Sequence, residues 1–225
     1  MKGTQMTTEL LVDRPAFTVR RAFVSSMNNA VYLVTARRSG EQVLIDAADD
    51  AEAISDLVEE GAQDAADGAR LAYVVTTHAH WDHTRATAEI AAQTGAHVAI
   101  GREDAAQLKA ERGIEADMLL DDGDLVHVDG VTLDVIGLRG HTAGSVALAL
   151  DAEEPALLFT GDSLFPGGVG NTGDDPERFA QLFGDVTTRL FDRFADDTIV
   201  FPGHGEPTTL GAERPALPEW RARGW

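Results

Sequence analysis

The stretch Thr77-His78-Ala79-His80-Trp81-Asp82-His83 gathers three of the chain's seven histidines and an aspartate. On an extended backbone alternate residues face the same way, so His78 and His80 project together. Asp82 and His83 fall where the pattern turns toward a helix, and from there they can face a neighbouring ion. One short segment thus has groups for two adjacent cations. The chain contains no cysteine, so any metal site must use imidazole and carboxylate. Such donors suit zinc, iron or manganese, and two ions about 3.5–4 Å apart are a known hydrolytic arrangement.

Three further groups stand in comparable settings. His141 in "GLRGHTAGS", Asp162 in "FTGDSLF" and His204 in "FPGHGEP" each follow an apolar β-type run and sit in a glycine-containing turn. Polar groups at the ends of separate strands can converge at one edge of a sheet.

The elements that must position them are readable from the apolar pattern. "FTVRRAFV", "AVYLVTA" and "QVLIDAA", separated by "SSMNN" and "RRSGE", predict a meander or hairpins. "DDAEAISDLVEEGA" predicts a helix with acids at its positive end. "LAYVVTT" is a nearly continuous apolar run, the pattern of a strand covered on both faces. After the histidine cluster, "TRATAEIAAQTGA" predicts a helix that carries Arg85 on its first turn and closes at Gly95. "HVAI" then predicts a strand, and "REDAAQLKAER" a helix stopping at Gly113. Val126 and Val128 alternate before Asp129-Gly130, and Val131, Leu133 and Val135 after it, which predicts a tight hairpin. "SVALALD", "ALLFTGD" and "TIVFPGHG" predict strands, with a helix in "DPERFAQLFGDVTTRLFDRF" before the last. Strands and helices mix in both halves with no boundary linker, so the expectation is one α/β (α+β) domain over residues 1–225.

The net charge of −20, from 18 basic and 38 acidic residues, opposes nucleic acid and anionic lipid. There is no apolar run of about 18 residues, and "MKGTQMTTELLVDRPAF" has no signal-peptide core. The expectation is a cytoplasmic monomer or homodimer acting on a small molecule, with no nucleic-acid or membrane partner.

The spacing His-x-His-x-Asp-His, followed in order by "GHTAGS", "LFTGDSLF" and "PGHG", resembles the metallo-β-lactamase superfamily. Within it the chain looks like the glyoxalase II-like (hydroxyacylglutathione hydrolase-like) branch, in a short form without the C-terminal glutathione-binding helical domain. The resemblance runs from "AVYLVTA" to "PGHGEPTTLG", nearly the whole chain. It implies a four-layer αββα sandwich of two mixed sheets with helices outside. It also implies two divalent ions, zinc first and iron or manganese as alternatives. His78, His80 and His141 would hold one ion and Asp82, His83 and His204 the other, with Asp162 bridging them. Asp82 and Asp162 are the implied catalytic carboxylates, and Asp46, in "LIDAA", matches an acid expected to stand behind a ligand.

The activity implied is thioester hydrolysis by a hydroxide shared between the ions, the thiolate leaving without a strong general acid. The rival is a sulfur (persulfide) dioxygenase with one iron and the same ligand letters. A β-lactamase and a non-catalytic binding protein are less favoured readings.

The chain departs from the branch at two places. Gly168-Val169-Gly170 is followed by Asn171 where relatives often carry arginine, and Arg85 stands where many have glycine. Asn171, Arg85 and Arg139, two residues before His141, are candidate substrate contacts, with surface pairing as the plainer role for the two arginines. The glycine-rich stretch Phe165 to Asp175 reads as a simple connection or as a substrate-side loop whose N–H groups face the site. His97 and His127 are set aside as structural, and Trp81 as a packing or rim residue.

Overall fold

Apolar residues recurring at every second position build strands with two usable faces, and strands buried at every position need a layer on each side. The computed structural model, which describes residues 8–150 and 154–224, meets both demands. Strands β1 (Glu9–Asp13), β2 (Phe17–Val24), β3 (Asn29–Ala36), β4 (Glu41–Ile45), β5 (Arg70–Thr76), β6 (His97–Gly101) and β7 (Met118–Leu120) form one sheet in sequence order. Pairing is antiparallel from β1 to β4 and parallel from β4 to β7.

The second sheet draws on β8 (Leu125–Val128), β9 (Val131–Gly137), β10 (Val146–Leu150) and β11 (Leu157–Gly161). A short ribbon follows, β12 (Leu164–Phe165) with β13 (Gly168–Val169), and then β14 (Ile199–Pro202) and β15 (Thr208–Thr209) complete the sheet. Its order is β15-β14-β11-β10-β9-β8, with β11 and β14 parallel and every other pair antiparallel. Both sheets are therefore mixed.

The layers follow from the alternation. Tyr32, Val34, Val43, Ile45 and Val75 of the first sheet meet Leu133, Val135, Leu148, Phe159 and Phe201 of the second. The opposite face of the first sheet, with Val31, Leu33, Leu44 and Val74, packs on Ile54 and Leu57 of α1 (Ala51–Ala62) and Ile90 of α2 (Thr87–Thr94). Leu108 of α3 (Ala105–Arg112) covers Val98 and Ile100. On the far side Ile136, Ala147 and Leu158 pack on Phe179, Leu182 and Val186 of α4 (Pro176–Val186). The four-layer αββα sandwich is the outcome, with β3 and β10 buried throughout.

Several expectations need correcting. The helix expected from Thr84 starts at Thr87, because the N–H groups of Arg85 and Ala86 bond to Ala48 O and Ala47 O in the loop after β4 (3.1 and 3.0 Å). Arg85 is thus in a turn and not on a helix. The helix expected from Arg102 opens with a 3₁₀ turn, Arg102–Asp104, and α4 gives way at Thr187 to a π-helical turn ending at Phe191. Strands β1, β7 and β15 and the ribbon had no clear signal. Nor did the terminal helices α5 (Leu210–Glu213) and α6 (Leu217–Arg223), whose Trp220 is 1% exposed. The signal-peptide reading bears partly on residues 1–7, and the end of the "SVALALD" strand on Asp151, all outside the described residues. Among the described residues no helix is long and apolar enough to cross a membrane.

Candidate metal centre

Seven polar groups gather where strand ends of both sheets meet. The first sheet contributes the loop after β5, with His78, His80, Asp82 and His83, and the second contributes His141 after β9, Asp162 after β11 and His204 after β14. Their nitrogens and oxygens fall into three overlapping groups, each within 4.8 Å: His78, His80 and His141; His78, His83 and Asp162; Asp82, His83 and His204. His80 Nδ1 lies 2.9 Å from His141 Nε2, and His83 Nε2 lies 3.1 Å from His204 Nε2. Asp162 stands between, with Oδ1 3.3 Å from His83 Nε2 and Oδ2 3.7 Å from His141 Nε2 and 3.6 Å from His204 Nε2. Asp82 Oδ2 is 3.2 Å from His204 Nε2.

The groups behind them settle which ring nitrogen faces inward. His141 Nδ1 is 2.7 Å from Asn171 O and His204 Nδ1 is 2.9 Å from Met27 O, and a carbonyl only accepts, so both Nδ1 atoms donate. His83 Nδ1 donates to Asp46 Oδ2 at 3.0 Å. Asp46 also accepts from Thr77 N (2.7 Å) and the Thr77 hydroxyl (2.8 Å), which leaves that hydroxyl to accept from His78 Nδ1 at 3.1 Å. Four imidazoles therefore turn Nε2 to the centre, while His80 presents Nδ1. Asp46 does this from a left-handed backbone (φ 59°), a costly conformation for a non-glycine residue and one found where function holds it.

The residues fit a cation on two further observations. His78 Nε2 is buried without a hydrogen-bond partner and Asp162 Oδ1 with no partner beyond its ion pair to His83, an expensive state for His78 unless something positive shares it. Gly203 closes the floor: a Cβ there would lie 2.4 Å from Asp162 Oδ1 and 2.7 Å from His83 Cε1, so only glycine lets β14 approach.

Charge is distributed unevenly. Burial among like rings holds His78 well below the ordinary histidine value, and burial holds His141 below it despite Asp162. For His83 burial acts in the same direction, but the Asp46 and Asp162 carboxylates outweigh it and raise the pKa to about 10. His204 is likewise buried yet raised, by Asp82 and Asp162. The partner acids move the other way: burial favours their neutral forms, yet His204, His83 and Asn29 hold Asp82, and mainly His83 holds Asp162, below the usual carboxylate range.

The other candidates lie as follows. Arg85 pairs with Asp49 (2.6 Å) and stacks on the exposed Trp81 ring, 4.1 Å to its centre. Arg139 pairs with Asp185 at 3.1 Å. Asn171 bonds to His141 through its main chain, and its side chain accepts from Gly173 N (2.7 Å). The Phe165 to Asp175 stretch holds the turn and second strand of the β12–β13 ribbon and the irregular segment leading to α4, the turn held by Gly167 N donating to the buried Glu213 (2.9 Å) and by Arg223 donating to Gly167 O (3.1 Å). His97 is near Asp117 and His127 bonds to Thr132, both apart from the cluster. Sequence reasoning missed Asn29, whose amide donates to Asp82 Oδ2 (3.1 Å), and Asp104, buried beside the cluster. Asp104 had a signal: like Asp46, it is an acid just past the end of a parallel strand.

Comparisons with known proteins agree with this fold. A family model described as the metallo-beta-lactamase superfamily matches residues 27–204. A hydroxyacylglutathione hydrolase of Polaromonas sp. is 32% identical over 184 residues, covering 80% of this chain and 63% of that protein. Hydroxyacylglutathione hydrolase GloC of Haemophilus influenzae is 30% identical over 162 residues, 66% of this chain and 75% of that one. Among solved structures, TTHA1623 in a di-iron-bound form superposes with a TM-score of 0.68 at 28% identity, covering 86% of this chain and 96% of that chain. The chain thus spans less than two thirds of the first of these relatives.

Proposed function

The chain belongs to the metallo-beta-lactamase superfamily, and from that premise we propose that it is a metal-dependent hydrolase cleaving a thioester, with 2-hydroxyacyl thiol conjugates as the substrate class. The observation that carries this reading is the set of inward-turned donors around the buried, unpartnered His78 Nε2 and the buried Asp162 carboxylate. His78, His80 and His141 would hold one divalent cation and Asp82, His83 and His204 a second, with Asp162 shared. Zinc is the first choice. When bound, the pair supplies a Lewis acid and brings the pKa of a water toward about 7.

The rest of the chemistry belongs to the chain. Asp46, Asn171 O and Met27 O hold the rings in the tautomers that face inward. Asp82 and Asp162 are held ionised, and Asp46 and Asp104 are occupied accepting hydrogen bonds from N–H and O–H donors. Neither Asp82 nor Asp162 is poised as a general acid. A leaving amine or alkoxide would need that proton, whereas a thiolate, with a conjugate acid near about 8.5, departs without it. The names of the two hydrolase relatives support the same bond type. Arg85 and Arg139 are both paired with acids, so the proposal names the thioester and not the thiol.

The likeness to a solved structure of ETHE1 from Myxococcus xanthus (27% identity, TM-score 0.74) favours one alternative, a mononuclear iron enzyme oxidising a persulfide. The test is metal content per chain on gently purified protein, together with thiol release from a 2-hydroxyacyl thioester and oxygen uptake with a persulfide. About two cations and thiol release without oxygen uptake is the expected result. About one iron with persulfide-dependent oxygen uptake would replace the hydrolase reading.

A further inference from the structure

Asp104 lies in the turn between β6 and α3 and is 2% exposed. Its Oδ2 accepts from the N–H of Ala79 (2.9 Å) and the hydroxyl of Thr142 (2.7 Å), and its Oδ1 accepts from the N–H of Gly144 (2.7 Å). Ala79 sits between His78 and His80, while Thr142 directly follows His141 and Gly144 is three residues past it. One carboxylate from a third loop therefore ties together the two segments that carry the imidazoles of the first trio. The contact is close: a Cβ on Gly144 would lie 2.5 Å from Asp104 N and 2.8 Å from Asp104 Oδ1.

We infer that Asp104 is the positioning residue of the His78, His80 and His141 half: it sets the spacing between the two loops, and through it how tightly that half holds a cation. The inference rests on reading the cluster as a two-cation centre. Its physical basis is acceptor capacity. An ionised carboxylate accepts all three hydrogen bonds, whereas asparagine has one acceptor oxygen and would point an NH₂ group at a buried donor. The mismatch is relieved only if the 77–80 and 141–145 segments move apart. The second trio is braced differently, through Asp46 on the His83 ring, and does not depend on this joint.

The experiment is a cobalt titration of Asp104→Asn and Thr142→Val against wild type, with His141→Ala and His204→Ala marking the two binding steps. Thermal unfolding of each metal-free chain is recorded in parallel. Asp104→Asn should weaken the step that His141→Ala removes by about 10- to 100-fold, the usual effect of losing a group behind a ligand, and change its cobalt absorption. The step that His204→Ala removes should stay within about threefold of wild type, well short of that effect. Thr142→Val, which keeps the carboxylate, should give a smaller loss on the same step, and it carries the test alone if Asp104→Asn does not fold. Equal weakening of both steps, or weakening of neither, overturns the inference and leaves the two-cation reading standing. A wild-type chain that binds no cobalt, zinc, iron or manganese overturns both.

Discussion

The two halves of the centre are seeded by the same seven-residue stretch, yet they are electrostatically unlike. The His78, His80 and His141 half is all imidazole, with His78 and His141 driven toward the neutral form by burial. The Asp82, His83 and His204 half is ringed by Asp46, Asp82 and Asp162, which hold a proton on His83 and push His204 toward its charged form when no cation shares those carboxylates. One half is preformed for a cation, and the other has a proton in the cation's place. On the two-cation reading, the difference teaches that ligand letters alone would not set how a site loads; the acids standing behind the rings would.

The largest expected effect erases the contrast. Asp162 touches rings of both halves, so Asp162→Ala should loosen both cations and lower activity by more than the roughly 100-fold that a supporting residue is worth. Loss of only one ion, measured as metal per chain after desalting, would show that the carboxylate is not shared. Asp46→Asn should sharpen the contrast. It disturbs the His83 ring and the Thr77 contacts, and should weaken the second half about 10- to 100-fold with less effect on the first. Equal loss from both halves would count against the division.

Protons give a smaller, graded effect. His83 is protonated at neutral pH with a pKa of about 10, so a cation must displace that proton. Affinity of the second half should therefore fall about tenfold for each pH unit below 10, for one proton. His78 and His141 lie below 6.5 and are already deprotonated at neutral pH, so affinity of the first half should be flat above that value. Calorimetric titration in buffers of different ionisation enthalpy reads the proton release directly, and identical release from both steps would break the comparison. The smallest effect is the control: His97→Ala, at an exposed position, should leave metal content unchanged and stability within about 0.5 kcal/mol.

Most of the centre was legible in the sequence because its donors are polar types at the ends of apolar runs, where nothing else calls for histidine. The layered fold was legible for a related reason, since β3, β5 and β10 are too apolar to have a wet face. What escaped depends on contacts between distant segments. Asp104 reads locally as an acid opening a helix, and Asn29 as part of the turn "SSMNN". Arg85 and Arg139 look like free cations until the fold brings Asp49 and Asp185 to them. Edge strand β1, half-exposed along its length, has too weak an alternation to stand out.

One consequence concerns the order of events as the chain folds. The donors after β5 belong to one sheet, and those after β9, β11 and β14 to the other. Neither sheet alone completes either trio, so on the two-cation reading tight cation capture would be a late event that follows docking of the two sheets. On the two-cation reading the ions would act as rivets across the sandwich, and slow metal release would then report how rarely the sheets part.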